Sequence, residues 1–187
     1  GDGWHLGAPF GSRIECSPWC NLTASTLLER CRSQHGLLLR LEVFRKSAAV
    51  GWGLRTLEPI AKGSFVMEYV GEHCSRAVVD ARVGRWPATD IFLMEIGKGR
   101  CDSRFAIDAL HARNLSAFAN FACYPNMRKE PLLARHWDAR LPHAAFFATR
   151  NICAGEELTY RRDEAAWKSK TSGIRCMCGH IDCKKWV

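Results

Sequence analysis

Hydrophobic and polar positions alternate along several short stretches of this chain, and nowhere do they sustain a long helical period. Residues 37–44 put Leu39, Leu41 and Val43 on one face, the pattern of a half-buried strand. Residues 65–70, 91–96, 105–107, 144–149 and 157–160 predict further short strands. Residues 76–83 and 115–120 fit short helices. Glycine and proline punctuate the gaps, and no internal repeat or low-complexity segment interrupts them. Many short strands with few helices predict a mainly β fold built from small curved sheets.

Composition narrows this picture. A chain of 187 residues that is 47% hydrophobic fits one domain with an appendage. No apolar run approaches the roughly 18 residues of a membrane span, so no membrane partner is expected. Gly1-Asp2-Gly3-Trp4 has neither a basic start nor an apolar core, so no signal peptide is visible. The lack of an initiator Met is expected of a fragment or a processed chain. Ten cysteines could mean disulfides, but their concentration toward the two ends argues for zinc in a reducing compartment. Asn21-Leu22-Thr23 matches a glycosylation sequon and, without a secretory signal, reads as chance. The net charge of +8 suits contact with DNA or nucleosome phosphates. Lys and Arg are spread along the chain without a dense block, which favours the blander reading of a solvated face.

The C-terminal Cys176-x-Cys178-x4-Cys183 offers three thiolates, and a closed tetrahedral zinc site needs a fourth ligand. His180 lies inside that loop and could ligate, although a bystander role fits its position better. Cys74, Cys101 and Cys153 match no ligand pattern and read as core or surface thiols.

Four motifs, in order, identify a family. Val50-Gly51-Trp52-Gly53-Leu54-Arg55 resembles the loop that opens a SET domain, and Phe65-Val66-Met67-Glu68-Tyr69-Val70-Gly71-Glu72 the strand that follows. Asn114 through Asn126, containing Asn120-Phe121-Ala122-Cys123-Tyr124-Pro125-Asn126, is similar to the family's Asn-His-x-Cys-x-Pro-Asn segment. Gly155-Glu156-Glu157-Leu158-Thr159-Tyr160-Arg161-Arg162 resembles its last strand. Residues 141–158 are similar to the suppressor-of-variegation branch, which methylates histone H3 at lysine nine. The resemblance implies a SET fold with a pseudoknot over residues 37–163. It also implies a truncated pre-SET remnant over 1–36, where Cys16, Cys20 and Cys31 remain, and a linker with a post-SET zinc motif over 164–187.

The same resemblance assigns roles. The cofactor would be S-adenosylmethionine (SAM), whose sulfonium methyl moves in line to a neutral lysine amine, so positioning is the protein's main contribution. Trp52, Gly53, Phe92, Asn120, Phe121 and Trp186 would contact the cofactor. Tyr69 would line the lysine channel, and Tyr160 would tune the number of methyl groups added. Cys123 would complete the zinc site with Cys176, Cys178 and Cys183.

Three positions depart from the pattern. Arg162 stands where the family has its catalytic tyrosine, Phe121 where it has histidine, and Tyr124 where aspartate is usual. A cation about 4 Å from the sulfonium would repel it by roughly 4 kcal/mol at an effective dielectric near 20. An outward Arg162, paired with Asp163 or Glu164, would instead leave the tyrosine's role vacant. Two functions follow as expectations. One is a histone H3 tail or nucleosome methyltransferase at nuclear chromatin. The other is an inactive SET module that binds chromatin or a partner protein. Neither oligomeric state nor the exact lysine is legible.

Overall fold

The computed structural model describes residues 13–14, 32–85, 92–95, 105–133, 141–161 and 175–185. In chain order the strands are β1 (Arg13–Ile14), β2 (Leu41–Ser47), β3 (Gly51–Thr56), β4 (Phe65–Tyr69) and β5 (Glu72–Ser75). A single helix follows among the described residues, α1 (Arg76–Arg85). Then come β6 (Leu93–Glu95), β7 (Phe105–Asp108), β8 (Asn120–Phe121), β9 (Met127–Leu133), β10 (His143–Ala148) and β11 (Thr159–Tyr160). Short 3-10 turns cover Arg32–His35 and Leu115–Phe118. The fold is mainly β, as the alternation predicts.

The chain divides into two compact units, with β4, β9 and β10 contributing residues to both. The first comprises 1–38, 67–117 and 130–145. Its sheet runs β5-β7-β6, antiparallel throughout, with Cys74 opposite Ala106 and Met94 opposite Ile107. Helix α1 buries Val79 and carries Arg82 and Arg85 in its last turn, where cations offset the helix dipole. Arg82 reaches back to Glu72 on β5 and to the buried carboxylate of Asp108 on β7, both at 2.8 Å. Asp108 also accepts the Leu110 N–H, so its charge is both paired and hydrogen-bonded. A side chain at Gly71 would come within 2.5 Å of the Asp108 carbonyl oxygen, so only glycine fits that approach.

The second unit comprises 39–66, 118–129 and 146–187. Strands β2 and β3 pair antiparallel, with Val43 opposite Leu54, Phe44 opposite Gly53 and Arg45 opposite Trp52. The register then shifts between Arg45 and Ser47, leaving Lys46 as the extra residue of a β-bulge. Strand β11 pairs parallel with β8 on one side and β9 on the other, with Tyr160 opposite both Phe121 and Met127. Consecutive strands usually neighbour each other. Here a later strand is inserted between two earlier ones, beneath the 122–126 segment that joins them. This is the pseudoknot the resemblance implies.

Several elements differ from the alternation pattern. The first full strand begins at Leu41 rather than at 37, because Leu37 and Leu38 stay exposed. The Gly-Trp-Gly segment is strand β3 and not a loop. Residues 115–120 form only one 3-10 turn, since the Asn114 side chain accepts the Ser116 N–H and Asn120 has already entered β8. Strand β9 was hidden by the charged Arg128-Lys129-Glu130 run and by Pro131, and it is held by buried Met127, Leu132 and Leu133. The amino-terminal Cys16, Cys20 and Cys31 lie outside the described residues, as do Cys101 and residues 164–174. No helix among the described residues is long and apolar enough to cross a membrane.

Candidate functional site

The cofactor candidates of the second unit come together through one amide. Asn120 Nδ2 donates to the Trp52 carbonyl oxygen at 3.1 Å and to Glu157 Oε1 at 2.8 Å. Both acceptors are oxygens, so the nitrogen of this amide is placed by chemistry. Glu157 reaches the site because the residues around it are stitched to β3. The Leu158 N–H donates to the Leu54 carbonyl, the Gly155 N–H to that of Thr56, and the Thr56 N–H to that of Glu156. Gly53 is tightly enclosed, since a Cβ there would lie 2.9 Å from the Phe44 ring and 3.1 Å from Glu157 Oε1. Trp52 is 51% exposed, with the Arg45 guanidinium 5.5 Å from its ring centre. This is a surface that can receive a flat ligand.

The aromatic candidates Phe121 and Tyr160 touch each other. Their rings pack edge-on at 5.0 Å, and Phe146 lies 4.8 Å from Tyr160 on its other contact. Tyr160 is buried, so its ring is fixed by packing.

The four predicted zinc ligands converge. The Sγ atoms of Cys123, Cys176, Cys178 and Cys183 all lie within 4.8 Å of one another. Cys123 Sγ is 3.5 Å from that of Cys176 and 3.8 Å from that of Cys183. A tetrahedron with zinc–sulfur bonds of about 2.3 Å has edges of about 3.8 Å, so these residues fit the ion. The Lys184 and Lys185 N–H groups donate to the sulfurs of Cys123 and Cys183, each at 3.4 Å, as suits thiolates. Gly179, at φ 73°, supplies the left-handed turn of the loop. Burial pushes the Cys176 thiol up to about 12. Burial also raises Cys178, but hydrogen bonds from Cys123, His180 and the neighbouring thiols outweigh it and bring that thiol down to about 6. His180 is not one of the cluster. Its ring lies 4.2 Å from that of Tyr124, and its Nδ1 accepts the Asp182 N–H. Cys74 is buried and Cys153 exposed, as core and surface thiols.

In the first unit, Tyr69 is buried and its hydroxyl donates to the Phe92 carbonyl oxygen at 2.8 Å. Burial first, then the nearby Asp108 charge, raise this phenol well above its ordinary range, with Arg113 offsetting part. Tyr69 is therefore a neutral donor with a committed partner. The Phe92 ring lies 5.1 Å beneath the Arg113 guanidinium. Glu68 takes the His143 ring at 2.6 Å, and its carbonyl accepts from Asn114. Arg162 and Trp186 lie outside the described residues.

Residues that sequence reasoning gave no role hold this arrangement. Lys46 donates to Glu157 Oε2 at 2.6 Å. Asn126 is buried and donates to Glu156 Oε1 and to the Glu157 carbonyl, while its oxygen accepts the Thr159 N–H. Glu156 in turn pairs with Arg150, which holds its carboxyl below the usual range. Arg161 Nη2 donates to the Cys123 carbonyl at 2.8 Å, tying the exit of β11 to the cysteine cluster. The available signals were the acid pair of Gly-Glu-Glu-Leu and the place of Asn126 at the end of its motif.

A fold with an inserted last strand, a glycine strand gripped by an asparagine, and a three-cysteine tail that meets Cys123 defines a class. The SET domain family matches residues 51–161, more than half of the chain, and the chain belongs to that family. Among curated relatives, the histone-lysine N-methyltransferase, H3 lysine-9 specific SUVH5 of Arabidopsis thaliana is 33% identical over 178 residues. The match covers 92% of this chain and 20% of that protein, so the chain spans a small part of the relative's length. The crystal structure of Arabidopsis thaliana SUVH6 in complex with SAM superposes with a TM-score of 0.77 at 32% identity, covering 96% of this chain and 39% of that one. KRYPTONITE, solved in complex with mCHH DNA, an H3(1-15) peptide and SAH, gives a TM-score of 0.73 at 33% identity, covering 94% and 35%.

Proposed function

We propose that this chain is the SAM-dependent methyl-transfer domain of a histone-lysine N-methyltransferase that acts on the histone H3 tail at lysine nine, in nuclear chromatin. The observation that carries the reading is the junction of Trp52, Gly53 and Asn120 through the Asn120 amide, inside the matched SET region. It is supported by relatives named for H3 lysine-nine methylation and by structures solved with SAM or SAH.

Trp52, Gly53, Phe92, Asn120, Phe121 and Trp186 line the cofactor in this reading, and Tyr69 and Tyr160 line the lysine channel. Apolar and aromatic walls disfavour the ammonium and so favour the neutral amine that attacks. SAM supplies the methyl group. The chain's own residues orient it, exclude water and hold the amine in line. Cys123, Cys176, Cys178 and Cys183 hold a zinc ion that fixes the tail. DNA phosphates are a second contact, in keeping with the net charge of +8.

The second reading, an inactive module that binds chromatin, is favoured by one packing observation. Phe121 presents a hydrocarbon ring to Tyr160, where the family's histidine would bring hydrogen-bonding nitrogens. Arg162 adds the loss of the tyrosine hydroxyl.

The deciding measurement is transfer of labelled methyl from SAM to nucleosomes and to an H3 tail peptide. The zinc-loaded chain runs beside its Arg162→Tyr/Phe121→His double variant. We expect transfer from the unaltered chain above background and a higher rate from the double variant. Transfer by the double variant alone supports the inactive-module reading. Silence from both, with zinc bound and both proteins folded, rejects methyl transfer as this chain's activity.

A further inference from the structure

Lys46, which belongs to no motif, forms an ion pair with Glu157 of the last-strand motif, and that pair is not needed to close the β2–β3 sheet. Lys46 is the extra residue of the bulge, where the paired register skips from Arg45–Trp52 to Ser47–Gly51. Bulges bend a strand and re-aim a side chain. Here the Lys46 ammonium meets Glu157 Oε2 at 2.6 Å, with both side chains about four-fifths covered. The other carboxylate oxygen, Oε1, accepts from Asn120 at 2.8 Å and lies against Gly53. Asn120 spends its second amide hydrogen on the Trp52 carbonyl. With both hydrogens committed, what Asn120 has left to offer a ligand is its oxygen, an acceptor. An unpaired Glu157 would be a half-buried negative charge, free to swing toward solvent and release the amide.

We propose that Lys46 and Glu157 are positioning residues for the cofactor. Their ion pair pins the Asn120 amide so that its oxygen faces the ligand, and it holds Gly53 and the exposed face of Trp52 in the receiving geometry. This inference rests on the reading of Trp52, Gly53 and Asn120 as a SAM site. A donor on the ligand, such as an ammonium or an exocyclic amine, is the chemistry that an oxygen held in this way recognises.

The test is calorimetric titration of SAM into the zinc-loaded chain and into Lys46→Met, Lys46→Arg, Glu157→Gln and the Lys46→Met/Glu157→Gln double variant, with a thermal melt of each. We expect Lys46→Met and Glu157→Gln each to weaken SAM binding about tenfold. The double variant should be no weaker than either single one, because the two residues act as one unit. Lys46→Arg should restore most of the affinity, since it keeps the cation. A pair that merely stabilises the fold would lower the melting temperature and leave the affinity of the folded protein unchanged, and that result overturns the proposal. So does additive loss in the double variant. If the unaltered chain itself binds no SAM, the cofactor reading falls and this inference falls with it. That outcome is distinct from normal binding that persists in Lys46→Met.

Discussion

At the scale of single residues, Asn126 does more for the site than any predicted ligand. It is 2% exposed, yet its amide is fully used, by Glu156, by the Glu157 carbonyl and by the Thr159 N–H. These bonds fix the backbone on either side of Leu158 and so set where Glu157 points. Replacing Asn126 with Ala removes the partner of a part-buried backbone N–H, that of Thr159, and of a part-buried backbone C=O, that of Glu157. Each such orphan costs about 1–3 kcal/mol, so Asn126→Ala should destabilise the chain by about 3 kcal/mol in denaturant unfolding. A change below about 1 kcal/mol would show that water takes over these bonds. The sequence carried this residue only as the end of a motif. Its burial and its three partners, about thirty positions away in the chain, are products of the fold.

At the scale of elements, what could be read and what could not separate by the range of the cause. Strands β4, β7 and β10 show as runs of apolar residues because their own neighbours bury them. Strand β11 contributes only Thr159–Tyr160, and it is a strand because β8 and β9 flank it. No local pattern announces such an insertion, and the pseudoknot was legible only through the family resemblance. The cysteine tail is the reverse case, since its spacing gave three ligands and the resemblance gave Cys123, and all four sulfurs meet. Cys123 sits in the 122–126 segment, which is also bonded to β11 by the Ala122 N–H to the Tyr160 carbonyl and by Arg161 to the Cys123 carbonyl. A zinc ion held by the four cysteines would tie the tail to the segment beneath which β11 passes. Stripping zinc with a chelator should therefore lower the melting temperature by at least about 10 °C, and reloading should release protons as thiols become thiolates. An unchanged melt after metal analysis confirms removal would mean that the thiols hold the tail without an ion.

At the scale of the whole chain, the balance of charge bears on the proposed substrate. A net charge of +8 repels a free histone tail, which is itself basic, and attracts the phosphates that accompany the tail in a nucleosome. Some cations are already neutralised within the described residues, among them Arg82 by Glu72 and Asp108, Lys46 by Glu157 and Arg150 by Glu156. Those contacts set three cations against four acids, so the net positive excess is carried by groups outside them. Two opposite salt responses follow. Binding to nucleosomes should fall as salt rises, by about tenfold between 50 and 200 mM for as few as two phosphate contacts. Binding to the H3 tail peptide alone should stay level or strengthen, because salt screens the repulsion. Fluorescence anisotropy with labelled nucleosomes and labelled peptide over that range separates the two. Parallel salt curves would show that the positive charge is a solvated face with no part in recognition. Diverging curves would support a phosphate contact, leaving discrimination among tails to the lysine channel proposed at Tyr69 and Tyr160.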